Sequence, residues 1–285
     1  MRTSINSPLT ILLAAAFLGA AASTSVAAEN SAPPIRSQIG VEVSSGQNET
    51  GSLSLNGTLG FTPEWGLEIS GSGSKSSSQT RSSEVAFGPL WRPAAHHELR
   101  LLLNAGQFSS ANGQFSGRRR GADLDYTLGL GDLMSWQQAT DLTVGVGSGR
   151  TIYDGELAET DTAFRFRWDQ GAFDFLRFGL GFETTQYSAA SPLSLRPRRA
   201  SRIGDTRGAT ENSGLFYLGF ILTNDDELRL EVERTKYPTE IGTTGEISWN
   251  HVHNEHWDTR ISAARTVFSN SDTYGSLGLG VNYTF

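Results

Sequence analysis

The chain has 285 residues, 30 acidic against 23 basic side chains for a formal charge of −7, 32 glycines, 10% aromatics and no cysteine. This excludes disulfides and cysteine-ligated metals and leaves no basic tail for nucleic acid. Mean hydropathy is −0.30, and beyond the N-terminal stretch no apolar run reaches the roughly 18 residues that a membrane helix needs.

The N-terminus reads as a cleaved secretory signal over residues 1–27. Arg2 is its positive region, Leu9 to Ala22 its apolar core, and Ser25-Val26-Ala27 or Val26-Ala27-Ala28 its small-residue cleavage site. Beyond Gln38 the chain alternates apolar and small or polar residues, the period-two signature of strands with two unlike faces. In chain order the predicted strands are Gln38–Ser44, Ser52–Phe61, Gly66–Ser74, Ser83–Trp91, Glu98–Phe108, Gly121–Gly131 and Asp141–Tyr153. The remaining seven are Asp161–Asp169, Asp174–Tyr187, Ser213–Thr223, Glu227–Arg234, Gly245–Val252, Trp257–Val267 and Thr273–Phe285. Pro89 interrupts the fourth, which predicts a bulge there; setting that strand aside would lower the count to twelve, within an expected range of 12–16.

The last strand carries Leu277, Leu279, Val281, Tyr283 and a terminal Phe285 at every second position. Together with the secretion signal, this strand resembles the closing strand of the bacterial outer-membrane β-barrel superfamily, porin-like members included. The resemblance implies an all-β, antiparallel up-and-down barrel of about fourteen strands over residues 38–285, with 28–37 as a short periplasmic lead-in. It implies that Leu277, Leu279, Val281, Tyr283 and Phe285 form the signal read by the barrel-assembly machinery, with periplasmic chaperones as partners during export by the general secretory route. An even strand number, with both ends in the periplasm, suits such a barrel. Most connections alternate in length as it requires: Thr62–Trp65 and Gln170–Phe173 are short, whereas Lys75–Ser82, Ser109–Arg120 and Ser188–Asn212 are long; Leu133–Thr140 is long for its side, and the first and last loops are short for theirs.

Alternation also assigns side chains to the lumen. The expected solute path is lined by Arg100, Asp123, Asp125, Arg165, Arg167, Arg177, Arg229 and Glu231. Arg165, Arg167 and Arg177 lie on strands joined by a tight turn, and their proximity would favour anionic solutes unless Asp161, Glu183 or other carboxylates offset them. Inward glycines, among them Gly129, Gly131, Gly145, Gly147, Gly149, Gly179 and Gly181, add no side-chain volume and are expected to leave room for a pore. Arg118, Arg119, Arg120, Arg196, Arg198 and Arg199 are assigned to surface loops, where they would meet lipopolysaccharide phosphates.

All five histidines map to the periplasmic end, and neither Gly-x-Ser-x-Gly nor His-Glu-x-x-His occurs. The reading is therefore a passive channel for small hydrophilic solutes, a monomer or small homo-oligomer in outer-membrane lipid. It has no catalytic residues, metal or cofactor and no nucleic-acid partner. The alternatives are a non-transport barrel for envelope structure, adhesion or polysaccharide export and, less favoured, an outer-membrane enzyme.

Overall fold

The computed structural model describes residues 34–47, 50–75, 80–94, 96–110, 116–133, 139–154, 158–187, 212–236, 241–269 and 273–285. The expected signal peptide and Arg196, Arg198 and Arg199 lie outside these residues. The first seven strands are β1 (Gln38–Gly46), β2 (Gly51–Gly60), β3 (Trp65–Lys75), β4 (Thr80–Ala94), β5 (His97–Ser110), β6 (Ser116–Gly129) and β7 (Thr140–Tyr153). They are followed by β8 (Ala158–Phe173), β9 (Leu176–Tyr187), β10 (Asn212–Ile221), β11 (Asp226–Lys236), β12 (Ile241–Val252), β13 (Trp257–Phe268) and β14 (Tyr274–Thr284). Each strand pairs antiparallel with its sequence neighbours, and β1 closes on β14 from Gln38↔Thr284 to Gly46↔Ser276. Closure leaves no strand edge unpaired, the condition for crossing a bilayer with strands.

The two faces follow the alternation. Outward lie Leu277 at 68% exposure and Val146 at 51%, with Phe164, Phe166, Leu180 and Phe182 in the same apolar band. Tight turns at one end are set by side chains that accept from the backbone. Thr62 Oγ1 takes the Trp65 N–H, Thr223 Oγ1 the Asp225 N–H, and Asn254 Oδ1 the N–H groups of His256 and Trp257. Aromatic pairs rim this turn end: Trp65 with Trp91 at 5.6 Å, Phe173 with Phe175 at 5.4 Å and Tyr283 with Phe285 at 4.9 Å. Aromatic girdles of this kind mark a membrane interface. His251, held by Asp226 through Nδ1 at 2.9 Å and stacked on Trp249, belongs to the same rim.

The structure corrects the expected boundaries in three places. β5 and β6 run further than predicted, so Arg118, Arg119 and Arg120 belong to the wall and not to a loop. β6 ends at Gly129, and Leu130–Leu133 forms one helical turn, α1, so Gly131 is no part of the wall. Pro89 keeps register with β3 opposite Leu67, and the shift between β4 and β5 falls between Trp91 and Ala94 instead. Because several strands overrun their predicted ends, the inequality of loop lengths is smaller than the sequence suggested; it rests mainly on the connection from Tyr187 to Asn212. The overrun escapes a periodicity argument because polar residues dominate both faces of a strand that has left the apolar band.

Candidate functional site

Register fixes which side chains share the lumen. Arg100 pairs opposite Asp125, Asp125 opposite Gly145, and Gly145 opposite Arg165, so all four stand on one face of β5 to β8. The same ladders carry Asp123, Arg167, Arg177, Arg229 and Glu231 to the inner face. Each expected lumen residue therefore faces inward.

Strands two apart are separated by about 9.6 Å, too far for a carboxylate and a guanidinium to meet over a bulky residue. Over glycine they meet. Arg165 on β8 crosses β7 to donate Nη1 to Asp123 Oδ1 at 2.7 Å and Nη2 to Asp125 Oδ1 at 2.9 Å. A Cβ on Gly145 or Gly147 would collide with those two carboxylates. Arg119 likewise crosses β7 at Gly149, donating Nη2 to Asp161 Oδ1 at 2.8 Å. Tyr217 crosses β9 at Gly179, and its hydroxyl donates to Asp169 Oδ1 at 2.5 Å. These glycines do not widen the lumen as expected; they are saddles that side chains from the flanking strands occupy.

The bonds join into one network. Glu68 accepts from Arg100, which donates to Asp125 at 2.7 Å; Arg165 links Asp125 to Asp123. Asn104 donates Nδ2 to Asp123 at 2.5 Å and accepts through Oδ1 from Arg119 at 2.9 Å, which ends on Asp161. Asp123, Asp125 and Asp161 are buried at 5%, 6% and 3% exposure, and each is hydrogen-bonded to a guanidinium, the partner that a buried carboxylate needs. Sequence reasoning missed Asn104 and placed Arg119 on the surface; their pairing depends on register, which no local pattern reveals.

The expected arginine cluster does not form. Arg165 stands opposite Glu183, Arg167 opposite Gly181, and Arg177 opposite Gly171, so the inward position of Asp169 lies between Arg167 and the level of Arg177 along β8. Arg165 is held by Asp123 and Asp125 rather than by Asp161 or Glu183, and Arg167 by Asp169 at 2.6 Å. Arg177 approaches Glu227 at 3.9 Å and is 57% exposed. Farther round, Arg229 pairs with Glu231 at 2.8 Å and lies over the Tyr217 ring, 3.7 Å from its centroid, while Arg260 pairs with Glu246. With Arg92 on Glu98, every inward arginine of the described strands has a carboxylate partner. Inward carboxylates outnumber these arginines, since Glu42, Glu84, Asp141, Glu159, Glu183, Glu233 and Asp258 share the face as well.

The described residues form no packed apolar core in the lumen. Among the described residues the buried hydrophobics are Ile35, Leu90, Leu102, Tyr153, Ala163, Tyr217 and Phe268, and only Phe268 with its neighbour Tyr274 forms a cluster. Two inward arginines keep solvent access instead, 46% at Arg167 and 57% at Arg177. Ile35, at the turn end, sits against Gly60 and Gly66 inside the mouth. No described group of histidine and carboxylate side chains has the arrangement of a metal site.

No family model matches the chain, and no curated protein matches it in sequence. In structure it is similar to the CymD monoaromatic hydrocarbon channel, with TM-score 0.51, 8% identity, and coverage of 89% of this chain and 88% of that one. It is also similar to an outer membrane channel from Pseudomonas putida F1, with TM-score 0.50, 12% identity, and coverage of 92% and 100%. At these identities the likeness is one of fold: the chain has the architecture of the outer-membrane β-barrels, as the C-terminal strand suggested.

Proposed function

We propose that this chain is an exported outer-membrane barrel acting as a passive channel for small hydrophilic solutes. The observation that carries the reading is the inner face: polar, solvent-accessible, and without the apolar packing that fills small closed barrels. Fourteen strands enclose a wider interior than the eight that side chains can fill, and the outward apolar band with its aromatic rim suits lipid on the outside. The turn end, where both ends of the described barrel lie, faces the periplasm, and the loop end faces outward. Residues 1–27 serve as the export signal, and the Leu277–Phe285 pattern as the assembly signal. Among the solutes we favour cations over anions, because each lumen arginine is already paired and the carboxylates are in excess.

Liposome swelling tests the reading. Vesicles containing the refolded chain should swell in small neutral sugars at a rate that falls with sugar size. Vesicles that stay shut to every sugar would remove the channel function and favour a purely structural barrel.

A further inference from the structure

On the outer face the charge pattern inverts. Outward positions in the loop half of the described strands carry no carboxylate, while Lys75, Arg81, Arg118, Arg120 and Arg150 are all exposed there. Lys75 stands directly opposite Arg81, and Arg120 directly opposite Arg150. Like charges in cross-strand pairs are destabilising without a counter-ion. Within the lumen each arginine has a carboxylate; Arg81, Arg118, Arg120 and Arg150 have none among the described residues. About 13 Å further down the same strands, Leu124 and Val146 are lipid-facing at 40% and 51% exposure.

We propose that this face of β4 to β7 binds the phosphate groups of an anionic lipid in the leaflet at the loop end, with its acyl chains along the apolar band below. The inference rests on the membrane-barrel reading above and names a partner of its outer wall. Arginine suits the task because its planar fork meets phosphate oxygens in pairs. A doubly phosphorylated headgroup would bridge Arg120 and Arg150 and remove the repulsion between them. A free phosphate would meet the same guanidinium groups but gain nothing from the rows of Leu124 and Val146.

The test uses the refolded full-length chain in zwitterionic detergent, titrated with fluorescent bisphosphorylated lipid A, its dephosphorylated form, and inorganic phosphate as competitor. The phosphorylated lipid should bind, and Arg118→Gln/Arg120→Gln/Arg150→Gln should weaken it on the order of tenfold or more, with partial recovery in the corresponding triple lysine variant. Heat-modifiable migration of each variant confirms that the barrel is folded. Equal binding of the dephosphorylated lipid, or no change in the triple glutamine variant, would overturn the proposal. Full competition by inorganic phosphate at matched concentration would identify a free-anion site and also overturn it. Equal loss from Arg234→Gln/Arg265→Gln, on the opposite wall, would show a diffuse belt and reject the local site. Solute passage through the wild-type barrel alongside any of these failures would leave the channel reading intact.

Discussion

From β4 to β9 the inner wall carries charges that pair across glycines; from β14 through β1 to β3 it carries mostly serine, threonine, asparagine and glycine, with Gln38, Tyr274 and the two acids Glu42 and Glu68. The strands differ as well. β4 to β8 have 14–16 residues, whereas β14, β1, β2 and β3 have 9–11, close to the roughly 9–11 that cross a bilayer. The long wall is held by side-chain electrostatics in addition to its ladder. The short wall, which contains the β1–β14 seam, relies on backbone pairing and on hydroxyl pairs such as Ser44 with Ser52 at 2.9 Å. One barrel thus carries a wall cross-linked by ion pairs on one side and a wall of small polar side chains on the other.

The largest effect is expected at the seam. Phe285 donates its N–H to Ser37 and packs edge-on against Tyr283. Deleting it should strongly reduce the heat-modifiable, protease-resistant protein recovered in the outer membrane, and normal recovery would reject the assembly-signal reading.

On the long wall, Arg165→Gln leaves Asp123 and Asp125 without the guanidinium between them. Breaking a buried pair in this way costs about 3–5 kcal/mol, which should appear as a lower urea midpoint of unfolding from lipid. A midpoint matching wild type would mean that the network contributes nothing net and would erase the contrast between the walls.

Glycines sharpen the contrast at smaller magnitude. Gly145→Ala must displace the Asp125 carboxylate, whereas a Cβ on Gly280 meets only ordinary contacts at 3.6 Å and beyond. We expect a loss of about 1–3 kcal/mol for the first and within about 0.5 kcal/mol for the second, by the same urea measurement. Equal effects would refute the saddle role. The smallest change should come from Ser52→Ala, which removes one half-buried hydroxyl pair and should cost no more than about 1 kcal/mol.

Strand existence and side-chain phase were legible in the sequence because an apolar outer face and a polar inner face impose opposite demands on successive residues. Leu124, Tyr126 and Leu128 reveal the outward face of β6, and Asp123 and Asp125 follow as inward. Partner choice was not legible. Arg165 meets carboxylates 40 and 42 residues away, two strands over, because β7 happens to present Gly145 and Gly147 between them. The reading of Arg118, Arg119 and Arg120 as loop residues failed for a related reason: above the apolar band, polarity no longer separates strand from loop, and only the pairing with β5 and β7 shows the ladder continuing.

The proposed channel needs a water-filled lumen, in which every inward arginine of the described strands is paired and outnumbered by carboxylates. Reversal potential in a planar bilayer, with a potassium chloride gradient across the purified refolded barrel, tests this most directly. The account predicts discrete conductance with a potential of the sign that favours potassium, shrinking as total salt rises and screening shortens the reach of the wall charge. A potential favouring chloride would contradict it, as would a bilayer that stays silent across a wide voltage range.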